Sequence, residues 1–427
     1  MDKNTLIDEN WDLLLSYFPP NWKYLAYQSG AIRYILKDFK NESDLLRTLL
    51  IYIGTGISLR ETAVLSGYSG ITNISDVAIL KRLRQSEEWL LSLCRELLPK
   101  HGISNPQSGD RIKVRIVDGS IIKEHGGKGD QWRLHFSFTL PGFYCNYFEI
   151  CPSKGKGTGE TFSRYPFKKG DYIMGDRAYS TVKGIEYVYY AGAYVLFRLN
   201  TSSISLYNSC DSDFILLEHV KEVKQQLEIK EWDVFVKITG GKLVSGRICI
   251  LRKTNLQAEE SLKKLKAKAS RKQSKLRPET IEYSKYVIIF STYPKEVFTK
   301  ENILEWYRLR WQVELVFKRL KSLLGIGQLP TFYPSASKAW LYGKLFLALL
   351  TEKLLRTDNF FSSGDTGCRS RWREFEFMWH QIESALTPTI PLNLILENRL
   401  EIAALLAEPS RARVPQIDTF DFKRNFE

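Results

Sequence analysis

Apolar side chains recur at three- and four-residue spacing in Leu45–Tyr52 and Val77–Leu93, which predicts amphipathic helices through roughly the first hundred residues. Ser58-Leu59-Arg60-Glu61 has capping-box spacing, in which serine hydroxyl and glutamate carboxylate satisfy free amides at a helix start, and Gly67 can end that helix. A second helix is expected from Ser75, carrying Lys81, Arg82 and Arg84. The pair reads either as a loose helix-turn-helix or as a plain helical bundle with a solvated basic face.

From about residue 110 the period changes to two. Ile112, Val114 and Ile116 alternate with Lys113 and Arg115, and Trp132, Leu134, Phe136, Phe138 and Leu140 alternate with Arg133, His135, Ser137 and Thr139, as in half-buried strands. A third strand at Asn146–Cys151, after a Pro-Gly turn at 141–142, completes an antiparallel meander. Tyr172–Gly175 and Tyr194–Arg198 are continuously apolar, which suits buried parallel strands. Phe214–Leu217, Val234–Ile238 and Arg247–Arg252 read as short strands, and Tyr286–Ser291 as another. Helical periodicity resumes near 302 and continues almost to the end, broken by prolines and by Ser-Ser-Gly-Asp at 362–365. A mixed sheet with helices on its faces follows from this order.

The chain has 427 residues, 44% hydrophobic and 26% charged, a globular composition with material for more than one domain. Lysine and arginine number 62 against 48 acids, a net charge of +14 that favours a polyanionic partner, nucleic acid before membrane. The six cysteines, Cys94, Cys145, Cys151, Cys210, Cys249 and Cys368, lie singly, without zinc or redox spacing, which points to a reducing, cytoplasmic setting. The acidic N-terminus is unlike a signal peptide, and Leu341–Leu355, interrupted by Lys344, Glu352 and Lys353, reads as a packed helix, not a membrane span. Between Arg252 and Arg277 ten basic residues face two acids, Glu259 and Glu260. A basic helix or hairpin arm is expected there, with Lys263, Lys264, Lys266 and Lys268 either solvated or placed against phosphates.

Asp118 follows the apolar run Val114–Val117, and Asp176 follows Tyr172–Gly175, so both carboxylates are expected at strand ends. Two such aspartates make a candidate Mg²⁺ cradle, because Mg²⁺ takes hard oxygen ligands, commonly carboxylates together with substrate phosphate. In YRLRWQVELVFKRLKSLLG, Tyr307, Arg310, Glu314 and Lys321 share one helix face, since seven-residue steps drift by only about 20°. Ordinary i,i+4 pairing of Arg310 with Glu314 is the alternative reading of that helix. His125 and His135 could be taken for metal ligands or bases, but they lie among polar strand positions and are expected to be solvated.

Asp118-Gly119-Ser120, Gly175-Asp176-Arg177-Ala178-Tyr179 and Tyr307-x2-Arg310-x3-Glu314-x6-Lys321 together resemble the DDE transposases of bacterial insertion sequences, in the family with a Tyr-Arg-Glu-Lys helix signature. The resemblance covers about residues 110–330. It implies an α/β fold in which a ribonuclease-H-like mixed-sheet catalytic core is interrupted by a β-rich insertion and flanked by helical regions. The gap of 314 − 176 = 138 residues has room for that insertion. The expected division is a helical, DNA-binding segment over 1–105, the core over 106–201 and 285–330, the insertion with its basic arm over 202–284, and a helical, dimerising segment over 331–427.

The implied activity is metal-dependent cleavage of double-stranded DNA at the element's terminal inverted repeats and transfer to target DNA; the alternatives are a catalytically silent DNA-binding descendant acting as a repressor and a related nuclease without strand transfer. Asp118, Asp176 and Glu314 would hold two Mg²⁺, with Mn²⁺ able to substitute. Asp118 would bridge both ions. Tyr307, Arg310 and Lys321 would hold DNA phosphates. Tyr286 and Trp232 are the candidates for stacking on a flipped base, although the family position usually carries tryptophan. Trp340, Leu341, Leu345 and Leu349, with Phe375, Met378 and Trp379, could build a homodimer interface or simply a core. The expected location is the bacterial cytoplasm, on nucleoid DNA, with no membrane partner.

Overall fold

The computed structural model describes residues 9–33, 38–99, 112–126, 129–140, 142, 144–330, 333–357 and 371–406. Pro141, the 362–365 break and Cys368 lie outside the described residues. The chain divides into two compact units, one combining residues 1–95 with 333–427 and the other spanning 96–332.

In chain order the first helices are α1 (Glu9–Ser16), α2 (Trp22–Gln28), α3 (Glu42–Thr55), α4 (Leu59–Tyr68), α5 (Asp76–Gln85) and α6 (Glu87–Leu97). Then come β1 (Val114–Lys123), β2 (Asp130–Leu140), β3 (Tyr144–Pro152), β4 (Tyr172–Gly175), α7 (Val182–Tyr190) and β5 (Tyr194–Arg198). The intervening segment supplies α8 (Leu216–Glu222), β6 (Ile229–Lys237), β7 (Leu243–Arg252), α9 (Asn255–Arg271) and α10 (Pro278–Tyr283). The chain continues through β8 (Tyr286–Ser291), α11 (Lys300–Leu309), α12 (Gln312–Ser322), α13 (Pro334–Thr357), α14 (Arg371–Leu386), α15 (Leu392–Glu397) and α16 (Arg399–Leu406).

In the helical unit α3 is the centre: every residue from Leu45 to Gly54 is buried. The two sequence-distant halves of the unit therefore share one core, with Trp340, Leu341, Leu345 and Leu349 of α13 and Phe375, Met378 and Trp379 of α14 all buried in it. Those side chains are core and are not available to a second protomer. Close approach demands small residues: a Cβ on Gly343 would lie 2.5 Å from Ile53 Cδ1. Lys344, buried between the rings of Trp340 and Trp379, donates to the Gly54 carbonyl at 3.0 Å, and burial pushes its ammonium down to about 8. The capping box at Ser58 and Glu61 forms as the spacing predicts, but α4 runs past Gly67 to Tyr68. Arg82 and Arg84 of α5 are engaged inside the unit, Arg82 with Asp38 at 4.0 Å and Arg84 over the Tyr333 ring, while Lys81 is exposed.

The other unit is built on one eight-stranded sheet in the order β3-β2-β1-β4-β5-β8-β7-β6. β1, β4 and β5 are parallel and β2 runs antiparallel to β1, the mixed five-stranded arrangement of a ribonuclease-H-like core. Strands β4 and β5 are covered on both faces, which is why they read as continuous apolar runs. The segment expected as an insertion does not make a sheet of its own: β8 pairs antiparallel to β5, β7 to β8 and β6 to β7, so its hairpin extends the same sheet. Phe214–Leu217, expected as a strand, instead leads into α8, where Leu216 and Val220 are buried at helical i,i+4 spacing. No helix among the described residues is long and apolar enough to cross a membrane.

Beneath the ends that carry the aspartates, β1 and β4 are tied by a buried ion pair. Arg115 donates to Asp171 at 2.8 Å and to the Pro166 carbonyl at 2.9 Å, and Asp171 also accepts from the Lys168 amide at 3.0 Å.

Candidate active site

Parallel pairing of β1 with β4 stops at Ile116 and Met174, although β1 continues beside β2 as far as Lys123. Asp118 is therefore a mid-strand residue and not a strand end, and Gly119 continues the extended backbone. Its carboxylate nevertheless comes near Asp176, because the pairing of β1 with β4 has ended two residues earlier. Asp176 caps the short 3-10 helix Arg177–Tyr179, accepting from the Ala178 amide at 2.7 Å. Asp118 Oδ1 accepts from the Gly119 amide at 2.8 Å, and the buried Tyr165 hydroxyl donates to the Asp118 carbonyl at 3.2 Å.

These two aspartates meet, and a third acid joins them. One carboxylate oxygen each from Asp118, Glu160 and Asp176 lie within 4.8 Å of one another. Glu160 was not singled out by the sequence. It sits on the loop Gly155-Lys156-Gly157-Thr158-Gly159-Glu160, fixed by Arg133 at 3.0 Å, and Arg164 staples the loop through the Gly159 carbonyl at 2.9 Å. The only signal of it was a glycine-rich run, with Gly155 and Gly157 at positive φ. Burial first, then the like charges of Asp176 and Glu160, push the Asp118 carboxyl up to about 7, against the pull of the Gly119 amide and Arg310. Glu160 is also raised, by burial and then by Asp176.

Glu314 is not in that cluster. The expected single helix is broken: Arg310 and Trp311 stand between α11 and α12, and the Arg310 amide donates to the Tyr307 carbonyl at i−3 spacing. From this kink Arg310 pairs with the exposed Glu314 and also lies 3.9 Å from Asp118. Arg310 thus links the glutamate to the aspartates. Tyr307 is in the same neighbourhood: burial raises its phenol most, Arg310 and Arg198 oppose this, and Asp176 adds to it. Lys321 lies elsewhere. Burial and the charge of Lys123 lower its pKa, which places it near the far end of β1 from Asp118.

The expectations for Tyr286 and His135 change. Tyr286 is 2% exposed, with Arg252 over its ring, so it is a core residue and offers no stacking face in this conformation. Trp232 is half-buried on β6, the outer edge strand, against the His219 ring at 5.2 Å. His135 is fully buried, not solvated; burial, then Arg164 and Arg133, push it down to about 4 against the nearby Thr158 backbone, so the imidazole is neutral. His125 meets the Leu329 carbonyl at 3.1 Å. The basic stretch folds as α9, capped at Thr254, with Lys263, Lys264, Lys266 and Lys268 exposed.

The family described as the transposase DDE domain matches residues 153–350, a span that contains Glu160, Asp176 and Glu314 and begins after Asp118. The InsL protein of insertion sequence element IS186A from Escherichia coli (strain K12) is 26% identical over 371 residues, covering 85% of this chain and 98% of the relative. The transposase of element IS421 from Escherichia coli is 26% identical over 372 residues with the same coverage. That of element IS231F from Bacillus thuringiensis subsp. israelensis is 22% identical over 377 residues, 79% of this chain and 78% of the relative. Over 85% of its length the chain is similar to insertion-sequence transposases, and its mixed sheet and acidic cluster accord with an enzyme that acts on DNA.

Proposed function

We propose that this protein is a DDE transposase that cuts double-stranded DNA at the terminal inverted repeats of its own element and joins the freed 3′-hydroxyl to target DNA, working as a homodimer on paired ends. The observation that carries the reading is the convergence of Asp118 and Asp176 from neighbouring strands, with Arg310 connecting Asp118 to Glu314. Burial first, and then the charges of Asp176 and Glu160, raise the Asp118 pKa to about 7, and hard carboxylate oxygens in such a setting fit a divalent cation, whose positive charge favours their ionised form. Asp118, Asp176 and Glu314 would hold two Mg²⁺, or Mn²⁺ in its place. Bound there, such ions activate an attacking oxygen and stabilise the leaving one in an in-line displacement at phosphorus.

The chain's own residues do the rest. Arg310 offers a guanidinium fork suited to a DNA phosphate, and when it turns to that phosphate it releases Glu314 toward the aspartates. Tyr307, beside Arg310, adds a phenolic donor for the same backbone. Lys321, set apart from the carboxylates, would hold a phosphate further along the duplex. The exposed lysines of α9 supply sequence-independent attraction to DNA, in keeping with the +14 charge. The helical unit, with Lys81 exposed on α5, would hold the element end.

The test is cleavage of the element's own end sequences by purified protein in Mg²⁺, beside Asp118→Ala, Asp176→Ala and Glu314→Ala, with binding recorded in parallel. Wild type should cut, and each variant should bind without cutting. Wild type that binds those ends and never cuts would leave a DNA-binding protein without the chemistry.

A further inference from the structure

Glu160 has no part in the mechanism above, yet it belongs to the carboxylate cluster and Glu314 does not. The space it faces is built from several directions. Gly119 has no side chain, and a Cβ placed there would lie 3.1 Å from Glu160 Oε1 and 3.3 Å from His135 Nδ1. Carboxylate and imidazole therefore converge on one cradle over Gly119. His135 is fully buried, and neither of its ring nitrogens has a hydrogen-bond partner among the described residues. An imidazole without a bonded partner, facing Glu160 across the space over Gly119, suits a hydrated cation, whose waters supply the missing hydrogen bonds. Glu160 is also held from outside the cluster by Arg133, on a loop pinned by Arg164, so its position does not depend on DNA. Glu314 is exposed on a kinked helix and engaged by Arg310.

We propose that Asp118, Glu160 and Asp176 form a divalent-cation site that fills in the DNA-free protein and does not require Glu314. The inference rests on the transposase reading only for the identity of the cation. Glu160 is then a metal ligand additional to the expected acidic triad, with His135 positioning the ion's water shell. Glu314 completes a second site after Arg310 has turned to DNA.

The test is Mn²⁺ titration of the full-length, DNA-free protein, with free Mn²⁺ followed by electron paramagnetic resonance. Wild type should show one tight site. Asp118→Asn and Glu160→Gln should each weaken it by about tenfold or more, while Glu314→Gln changes it by less than about twofold. Gly119→Ala keeps all three carboxylates but crowds the cradle, and should weaken the site too. Circular dichroism melting checks that each variant is folded. In wild type, Fe²⁺ with ascorbate and peroxide should cleave the backbone near residues 118, 160 and 176. Glu160→Gln and Gly119→Ala titrating like wild type would overturn the proposal, as would Glu314→Gln losing the site. Failure of DNA cleavage with Glu160-dependent Mn²⁺ binding intact would sink the transposition chemistry and leave this site standing; cleavage without that dependence would do the reverse.

Discussion

The buried pair Arg115–Asp171 fixes the two strands that deliver the aspartates, so Asp171→Ala is an informative perturbation. Arg115 is 5% exposed and Asp171 3%. Their 2.8 Å bond is supported by the Lys168 amide on the acid and by the Pro166 carbonyl, at 2.9 Å, on the base. Removing the carboxylate leaves a guanidinium that keeps one good acceptor but has no counter-charge and no access to water. An uncompensated buried charge of this kind costs about 3–5 kcal/mol. Against a total stability of about 5–15 kcal/mol that is a large fraction, and DNA cleavage should fall with the folded population.

Asp171→Asn keeps the shape and an acceptor and should cost less. The double variant Arg115→Met with Asp171→Leu should recover most of the loss, because replacing both charges by apolar groups of similar size is often neutral. Urea unfolding followed by tryptophan fluorescence gives the single and double values, and a double-mutant cycle should show a coupling of about 2 kcal/mol or more. If Asp171→Ala unfolds within about 0.5 kcal/mol of wild type, as surface substitutions do, the pair does not hold β1 to β4 and the reasoning fails.

Two further outcomes are expected. Asp118 has a folded pKa of about 7 against 3.8 for a free carboxyl. The folded chain therefore binds more protons than the unfolded one between those values, and in chelator its stability should fall as pH rises through that window, by at most about 4 kcal/mol, then level off. Asp118→Asn should abolish that fall and be the more stable protein at pH above 7; identical urea midpoints for the two proteins across the range would refute this. For DNA binding, log affinity against log salt should be steep, and replacing Lys263, Lys264, Lys266 and Lys268 by glutamine should flatten the slope by about 0.9 for each phosphate that no longer has a lysine beside it. An unchanged slope would remove α9 from the interface.

Much of this fold is carried by patterns that act within a few residues. Alternation wrote β2, continuous apolar runs wrote β4, β5 and β8, and the Ser58–Glu61 and Ser75 caps started α4 and α5 where expected, because pleat, helical turn and cap are set by neighbours along the chain. The approach of Asp118 to Asp176 was legible for the same reason: two acids at corresponding places after two apolar strands come together once those strands pair in parallel. What depended on tertiary structure was every meeting between segments that no period relates. Glu160 reaches the aspartates because a glycine-rich loop folds back under the hold of Arg133 and Arg164. His135 and Tyr286 have polar or amphipathic sequence surroundings and become buried only because a loop or a helix covers them. The kink at Arg310 and Trp311, which turns a periodic helix face into a link between Glu314 and Asp118, leaves no mark in helical spacing. The sharing of one sheet by the insertion and the core likewise depends on β8, whose two edges accept strands from opposite sides. Local preferences decide which elements form; which side chains then face one another is decided by register, closure and burial, and those are properties of the whole packed chain.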